Sequence, residues 1–510
     1  MTRRDYWYAT GLSLCSLILC GIHYWYPPER YFDEVYYPRS AGEYLTWQPQ
    51  YEWTHPPLTK LLIAVSMLLF GGTHSALGDT SYAWRFANVV VGAATVFLLY
   101  AFAKRLTNST PFAAIAATLL VLDGFHFTQS RIATPEITVA FFSLLMLYAF
   151  YRYWMQAIEV PPEPAPSSRT IATIFAISLA AGAGVAWIFI GTIAHQSRAA
   201  VLLMAVFLTL SLYAVLRLTV LPKPRGQFWL WILAAACGLG AASKWNDLFA
   251  LIVVCAFACG IVLLPRPKWR LPLDLTLSVV LSCSIGLYLA SYIPFFLTPH
   301  PATYEMQHDL SGMMDLQYQM YTYHDVTVTH NAPHPYSSKW WEWPLLIQPV
   351  AYWYKDFRTG AQLRNPNACC VGEIIALPNP VTWWFGLLAI PFLGYLAWRE
   401  RNGAYLLLFV TYFAQWLPWI ASPRMLFEYH FFPNDAIILI ADTVALKWLY
   451  ERATKAGKEQ EQLARFGLEA FMAATLVMFA YFYPVLAGDR ITYSLWLSRM
   501  WLRHWIIGPG

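Results

Sequence analysis

Long apolar runs recur along the whole sequence and constrain its fold more than any other feature. Thirteen of them reach about 18 residues, the length that crosses roughly 30 Å of hydrocarbon as an α-helix. Only 12% of the residues are charged, whereas a soluble domain carries roughly 25%. The runs lie at residues 6–26, 84–103, 110–128, 132–151, 170–194, 199–219, 228–244, 247–264, 273–296, 379–398, 403–420, 425–446 and 466–486. The chain is therefore predicted to be a helical, polytopic membrane protein.

The distribution of basic residues predicts the orientation of these spans. Basic residues recur in alternate connections, beginning with Arg3 and Arg4, and such connections face the cytoplasm. The N-terminus is thus predicted to be cytoplasmic and the C-terminus to lie outside. The first loop, 27–83, and the long loop, 297–378, are then extracytoplasmic. A shorter apolar run at 58–70 is predicted to lie in the interface or to re-enter the membrane.

The sequence predicts a single membrane-embedded domain over 1–510. No internal repeat is visible, and residues 157–168 form a Pro-rich cytoplasmic linker. Cys369 and Cys370 are adjacent in a polar loop, and adjacent cysteines rarely bridge, so no disulfide framework is predicted. The net charge of +5 is dispersed along the chain, which disfavours a nucleic-acid surface.

Two adjacent carboxylates follow the first apolar run. Asp33 and Glu34 stand in the segment Phe32-Asp33-Glu34-Val35-Tyr36-Tyr37, and His55-Pro56-Pro57-Leu58 follows about twenty residues later. This position offers an acid/base group at the membrane surface, where a lipid-borne substrate could be attacked. Neighbouring side chains point in different directions, so only one of the two is predicted to act as a base. Taken alone, the pair is more typical of a solvated acidic turn.

A second polar constellation lies between two later runs. It comprises Asp123 to Arg131, with Gln129 and Ser130, and then Glu136. Glu136 is predicted at the top of a helix just inside the bilayer surface. A carboxylate there is costly and indicates function, although it would also suit the free N–H groups of a helix N-terminus.

Several cations could meet a phosphate group. Arg85 opens the second span, where a guanidinium either grips a phosphate at two points or extends along the membrane boundary to the interface. Lys244, in Ser243-Lys244-Trp245, either contacts phosphate or caps a helix end, and the sequence leaves both alternatives open. Arg131 and Arg424 are weaker candidates.

The long loop and the spans after it carry aromatic motifs. One runs from His334-Pro335-Tyr336 through Lys339 to Trp340-Trp341-Glu342-Trp343. Asn379-Pro380-Val381-Thr382-Trp383-Trp384 and Tyr429-His430-Phe431-Phe432-Pro433 follow. Each motif alone is typical of aromatic packing at the membrane interface. The occurrence of several such motifs in this order is not explained by packing alone.

In that order, the segments resemble the protein O-mannosyltransferases, polyprenyl-phosphate-mannose-dependent enzymes of the glycosyltransferase-C fold. The similarity extends over about 27–150, 228–300 and 324–440. It implies an all-α membrane protein with about 11–13 transmembrane helices and extracytoplasmic loop helices. The long loop is too short for the β-trefoil module of eukaryotic members, which favours a bacterial-type member. Against the usual eleven spans, residues 170–219 are a candidate extra helical hairpin.

The resemblance implies an inverting glycosyltransferase. It would move mannose from polyprenyl-phosphate-mannose to Ser/Thr hydroxyls of proteins, outside a bacterial plasma membrane. Asp33 would be the catalytic base. Supporting or acceptor-binding roles fall to Glu34, His55 and Glu136, donor-phosphate binding to Arg85, Arg131, Lys244 and Arg424, and the loop motif to His334, Tyr336, Lys339 and Trp341. Ser243 to Phe249 resembles the family's S-K-W-x-G-L-F segment with one departure: the usual Gly position is occupied by Asp247 or is shifted.

No cofactor is predicted to be required, because the leaving group is a monophosphate. A divalent cation is the alternative, since some relatives with the same fold use one near paired acids. The histidines show no helical ligand spacing beside a carboxylate, so no metal ligands are assigned. These histidines are His55, His300, His308, His324, His330 and His334.

Two other functions compete with this interpretation. A related transferase would modify a lipid or a polysaccharide with the same class of donor. A transporter would show an inverted repeat and charges near the middle of the bilayer, whereas here the charges lie near one face.

Overall fold

The computed structural model describes residues 1–71, 79–158, 166–221, 226–263, 271–298, 307–327 and 334–506. Helices dominate, and the chain divides into two units. The first comprises Met1–Arg39, Leu62–Leu144 and Val328–Gly510, and the second comprises Ser40–Leu61 and Leu145–Thr327. The α-helices are α1 (Arg3–Gly21), α2 (Tyr37–Leu45), α3 (Leu58–Gly71), α4 (Ser81–Thr107), α5 (Thr110–Val121), α6 (Gly124–Gln129), α7 (Glu136–Ile158), α8 (Ser168–Val185), α9 (Arg198–Val220), α10 (Gln227–Ser243), α11 (Leu248–Leu263), α12 (Leu273–Ser291), α13 (Ile293–Leu297), α14 (Leu310–Thr322), α15 (Pro380–Arg399), α16 (Gly403–Trp416), α17 (Asp435–Ala456), α18 (Lys458–Ala487) and α19 (Tyr493–Leu497).

Each predicted apolar run falls on helix, and the short run at 58–70 is α3. Within the described ranges, eight helices are long and apolar enough to cross a membrane. They are α4, α7, α8 with its π-helical continuation to Ile193, α9, α12, α15, α16 with its 3₁₀ continuation to Ala421, and α18. The other five runs coincide with α1, α5, α10, α11 and α17, of which α5, α10 and α11 have fewer than 18 residues.

Three predicted spans are each divided between two helices. The run 273–296 comprises α12 and α13, and the other two divisions lie at aspartates. In the run 110–128, α5 ends at Val121 and α6 begins after Asp123. The Asp123 carboxylate caps α6, because its Oδ1 accepts from the backbone N–H groups of Phe125 (2.8 Å) and His126 (2.9 Å). In the run 425–446, a 3₁₀ helix (Glu428–Asn434) precedes α17.

The first unit is built around α1, α4, α5 and the C-terminal helices. Helix α1 packs on α4 and α5, and α17 packs on α15, α18 and α5. The fully buried Asp5 of α1 fixes one end of this bundle. Its carboxylate accepts hydrogen bonds from Tyr100 Oη at 3.1 Å and Thr110 Oγ1 at 2.7 Å.

A small antiparallel sheet also belongs to the first unit, and the sequence did not predict it. Its strands β1 (Val350–Asp356), β2 (Cys369–Ala376) and β3 (Ile491–Thr492) are ordered β1-β2-β3. The pairing of β1 and β2 runs from Val350–Ala376 to Asp356–Val371. Helices α6 and α18 pack on β2. The sheet thus ties the long loop to the bundle.

Cys369 and Cys370 at the start of β2 are paired as a disulfide in the structure, which the sequence analysis did not predict. The peptide bond between them is cis, and their Cα atoms are 3.0 Å apart.

The second unit consists mainly of α8 to α14. Helices α8 and α9 form a hairpin over the range 170–219, α9 packs on α12, and α12 packs on α10. Helix α14 lies against α9 and shares an apolar cluster with the end of α12, formed by Tyr292, Phe295, Met313, Leu316 and Met320.

Candidate active site

The two adjacent carboxylates lie on a single 3₁₀ turn, Phe32–Val35, and have different environments. Asp33 is half-buried, whereas Glu34 is fully buried. Glu34 Oε1 accepts from Arg85 Nε at 2.7 Å and from the Ala133 N–H at 2.9 Å, and Oε2 accepts from Arg85 Nη2 at 2.7 Å. Glu34 is therefore committed to internal bonds, and Asp33 is the acid of the pair that retains exposure.

Arg85 does not suit the predicted phosphate-binding role, because its guanidinium is used internally. A guanidinium has five N–H donors. Nε and Nη2 donate to the Glu34 carboxylate, and Nη2 also donates to the Glu29 carbonyl oxygen. Nη1 donates to the carbonyl oxygens of Tyr24 (3.1 Å) and Pro27 (2.8 Å). Its side chain is fully buried. This geometry makes Arg85 a clamp for the start of the first loop.

Hydrogen bonds between side chains and the backbone hold both the start of α6 and the segment between α6 and α7. Asn88 Nδ2 donates to the carbonyl oxygens of Ile132 (2.6 Å) and Thr134 (2.7 Å). Asp123 Oδ2 accepts from the Asn379 N–H at 2.9 Å. The Asn379-Pro380 motif thus fixes the start of α6. The buried Glu136 follows this segment and begins α7.

Two buried tyrosines bring the predicted acids together. Tyr352, on β1, accepts a hydrogen bond from Gln129 Nε2 at 2.6 Å. Burial raises the pKa of Tyr352, and the carboxylates of Glu136 and Asp33 raise it further. Tyr429 interacts electrostatically with Asp33, Arg424 and Glu136. Asp33, Glu136 and Arg424 therefore share one electrostatic environment around Tyr352 and Tyr429.

Aromatic rings enclose this cluster. Phe32, beside Asp33, packs edge-to-face on Tyr352 at 4.8 Å between ring centroids and on Tyr429 at 6.1 Å. His334 contacts Phe32 at 6.5 Å and Phe427 at 5.2 Å. The aromatic rings therefore hold the segment that carries Asp33 against β1 and the turn that contains Tyr429.

The other loop-motif residues have different positions. Tyr336 packs on His334 at 5.1 Å. Lys339 and Trp341 are exposed, with Lys339 Nζ 6.0 Å from the Trp341 ring. The buried indole of this motif is instead Trp343, whose Nε1 donates to Ser338 Oγ at 2.9 Å.

Arg131 lies in the first unit, close to the end of α1. Its guanidinium Nη2 donates to the His23 carbonyl oxygen at 3.0 Å, and its Cζ lies 4.6 Å from the Phe127 ring centroid. Its Nη1 has no hydrogen-bond partner within the described part of the chain.

His55 and Lys244 belong to the second unit. His55 Nδ1 lies 2.9 Å from Glu52 Oε1, and Lys60 Nζ donates to Glu52 Oε2 at 2.6 Å. Burial opposes ionisation of Glu52, but Lys60 and His55 outweigh it and hold the pKa of Glu52 below its ordinary value. Lys244 is buried at the end of α10, where it begins the turn Trp245–Asp247.

Sequence reasoning missed two residues of this region. Tyr352 accepts the hydrogen bond of Gln129, but nothing in the local sequence of Tyr352 distinguishes it from a packing residue. Glu373 on β2 is also buried, and Trp496 Nε1 donates to its Oε2 at 2.5 Å. Burial raises the pKa of Glu373 to about 8. The only available signal was a lone carboxylate among apolar residues in Cys369–Ala376.

Among the residues that the structure describes, no group of three or more His, Cys, Asp or Glu side chains could hold a metal ion. The predicted histidines His300 and His330 lie outside these residues.

Two family models match the sequence. Residues 10–194 match dolichyl-phosphate-mannose-protein mannosyltransferase, and residues 310–505 match the C-terminal four-transmembrane region of protein O-mannosyltransferase. The polyprenol-phosphate-mannose–protein mannosyltransferase of Mycobacterium tuberculosis H37Rv is 25% identical, over 93% of this chain and 86% of the relative. The enzyme of the same name from Mycolicibacterium smegmatis (strain ATCC 700084) is 27% identical, over 93% and 87%.

Solved structures share the fold. The S. cerevisiae protein O-mannosyltransferase Pmt1–Pmt2 complex bound to the sugar donor has a TM-score of 0.68 and 14% identity, covering 99% of this chain and 93% of that chain. ArnT from Cupriavidus metallidurans bound to undecaprenyl phosphate has a TM-score of 0.51 and 13% identity, covering 94% and 77%. The predicted glycosyltransferase-C fold is confirmed.

Proposed function

The chain belongs to the protein O-mannosyltransferase family, and on that premise we propose that it moves mannose from polyprenyl-phosphate-mannose to Ser/Thr hydroxyls of proteins. The names of the bacterial relatives support the donor and the protein acceptor. The main structural support for the proposed reaction is that the two adjacent acids have different environments. Glu34 is locked by Arg85, while the half-buried Asp33 belongs to the Tyr352–Tyr429 cluster.

Transfer then needs one base and one cation. Asp33 accepts the proton of the acceptor hydroxyl as its oxygen forms a bond to the anomeric carbon. The bond from that carbon to the phosphate oxygen breaks, and its electron pair leaves with the polyprenyl phosphate. Attack from the face opposite the phosphate inverts the anomeric centre.

Arg424 is the cation that we assign to the leaving phosphate. Its charge acts on Tyr429, a side chain on which the charges of Asp33 and Glu136 also act, and this shared neighbour favours Arg424 over the other candidate cations. A guanidinium offers paired donors to phosphate oxygens. Phosphate roles for Arg131 and Lys244 stay predictions, as do supporting roles for His55 and Glu136.

The protein is an integral membrane protein. The alternation of basic connections supports a cytoplasmic N-terminus and an extracytoplasmic active site, and the bacterial relatives support the plasma membrane. The proposed step uses no cofactor, because Arg424 offsets the charge of a monophosphate.

Replacement of the base tests this proposal. We expect Asp33→Asn to lower kcat by roughly 10²–10⁴-fold, the usual contribution of a general base. The assay supplies purified protein with radiolabelled polyprenyl-phosphate-mannose and a Ser/Thr-rich peptide. Asp315→Asn is the matched control, since Asp315 is exposed on α14.

Two outcomes would contradict the proposal. A folded Asp33→Asn protein with unchanged turnover would remove the base. Product that forms only when a lipid extract replaces the peptide would assign the protein to lipid modification instead.

A further inference from the structure

Helix α14 and the turn after it, Tyr323–Thr327, lie at a junction in the second unit. Three segments that are distant in sequence touch them: the tip of the α8–α9 hairpin, the end of helix α12, and residues 53–55 of the first loop. The hairpin is the candidate insertion at 170–219, which the proposed reaction does not use. Its contacts therefore bear on what it does.

The hairpin tip is hydrogen-bonded to the N-terminus of α14. Gln196 Nε2 donates to Asp309 Oδ2 at 2.9 Å, and Gln196 Oε1 accepts from the Ser311 N–H and Oγ at 2.8 and 2.9 Å. The Ser197 N–H donates to Ser311 Oγ at 2.7 Å. Asp309 Oδ1 in turn caps α14 at the Gly312 N–H, 2.9 Å away. One side chain, Gln196, thus bonds both the N-cap residue Asp309 and Ser311 in the first turn of the helix.

The middle of α14 is bound to α12 and, through it, to the turn after Lys244. Gln317 Oε1 accepts from Tyr288 Oη at 2.5 Å, and Trp245 Nε1 donates to Tyr288 Oη at 3.1 Å. Met313 and Met320 are buried against Tyr292 and Phe295 of the adjoining segment. A shift of α14 would therefore disturb the turn Trp245–Asp247.

The far end of α14 contacts the first loop beside His55. The ring of Tyr323 packs on Trp53 at 5.6 Å, and His324 packs on His55 at 4.9 Å. His324 Nε2 lies 2.9 Å from the Thr54 carbonyl oxygen. Since a carbonyl oxygen can only accept, Nε2 donates this bond.

We propose that the α8–α9 hairpin is a positioning element, and that Gln196 is the residue through which it fixes α14. The fixed α14 holds Trp53–His55 on one side and the Lys244–Asp247 turn on the other. The inference rests on the proposed function to the extent that His55 and Lys244 serve transfer. It gives the hairpin a role within the second unit: the hairpin keeps Trp53–His55 of the first loop in position for the proposed reaction.

A reciprocal exchange of amide and carboxylate tests this link. Gln196→Glu alone places two carboxylates side by side at the hairpin tip and removes the donor to Asp309. Adding Asp309→Asn restores one donor and one acceptor with their places exchanged, and an Asn can still cap Gly312. We expect hydrogen exchange of amides 310–327 and 51–55 to become about tenfold faster in the single variant and to return to the parent rate in the double variant.

Turnover provides the second measurement. We expect Gln196→Glu to lower kcat/KM by roughly tenfold or more, since misplaced groups lose that much rate, with recovery in the double variant. Gln460→Glu is the matched control, because Gln460 is exposed on α18. Amides of the β1–β2 pair, 350–376, serve as an internal reference.

The outcomes separate this inference from the proposed reaction. Unchanged exchange at 51–55 in Gln196→Glu would overturn the positioning role whatever the protein transfers. A single variant that loosens while the double variant does not recover would also overturn it, since the direct contact would then not be responsible. If the double variant restores the parent exchange rate but the parent protein transfers no mannose, the proposed reaction is contradicted and the positioning role stands.

Discussion

At the scale of single residues, the pairing of Arg85 with Glu34 is the contact that most shapes the candidate site. The two lie 51 residues apart in sequence and are both fully buried. Breaking a buried pair by removing one partner typically costs about 3–5 kcal/mol, because it leaves an uncompensated charge. The pair orients the 3₁₀ turn that also carries Asp33, the half-buried acid that we propose as the base.

We therefore expect Arg85→Lys to lower stability rather than donor affinity. Lysine is a point charge with three donors and cannot reproduce the five bonds of this guanidinium. The apparent melting temperature in detergent should fall, while KM for the donor stays near the parent value in protein that remains folded. Arg30→Lys is the control, since Arg30 pairs with the exposed Asp79 and such pairs contribute about 1 kcal/mol or less.

The opposite result would restore the role predicted from sequence. If Arg85→Lys keeps its melting temperature and raises KM for the donor, Arg85 contacts phosphate after all. The sequence identified Arg85 and Glu34 as important but assigned them separate tasks, because sequence spacing does not show that two distant charges meet.

At the scale of elements, the close approach of α6 to the segment after β2 holds the second polar constellation, from Asp123 to Arg131, in place. Helix α6 starts at Gly124, and a Cβ there would overlap the Leu377 carbonyl oxygen and lie 2.9 Å from a Leu486 methyl carbon. Only a residue without a side chain permits this approach. The constraint joins α6, α18 and the sheet.

We expect Gly124→Ala to destabilise the protein by about 1–3 kcal/mol, the usual cost of overpacking. Gly467→Ala is the matched control, since a Cβ at this position of α18 meets nothing within 4 Å. That control should be neutral or stabilising by up to ~1 kcal/mol. Thermal unfolding in detergent measures the stability of both variants. Equal melting temperatures would contradict the close contact of α6 with Leu377 and Leu486.

At the scale of the whole molecule, the predicted topology sets which face of the membrane carries the chemistry. Val35 is exposed beside Asp33, and Lys455 is exposed near the end of α17. We expect Val35→Cys, in a background whose own cysteines are replaced, to react with a membrane-impermeant maleimide in intact cells. Lys455→Cys should react only after permeabilisation. The reverse pattern would place Asp33 in the cytoplasm, where no extracytoplasmic acceptor could reach it.

The sequence by itself determined the spans and the family. Apolar runs long enough to cross hydrocarbon form helices because the bilayer leaves backbone groups no other partner, so each run from 6–26 to 466–486 falls on helix. The order of motifs from Phe32-Asp33-Glu34 to Tyr429-His430 indicated the family without any structure. The length of an apolar run and the order of motifs are local properties, so they can be recognised in the amino-acid sequence alone.

Only the tertiary structure decided which motif residues meet. It turned Arg85 inward onto Glu34, brought Tyr352 from an unpredicted strand to the acids, and paired Gln196 with Asp309. It also buried Trp343 in place of Trp341. Such pairings depend on burial and on hydrogen-bond geometry between residues far apart in sequence, and local patterns do not encode either.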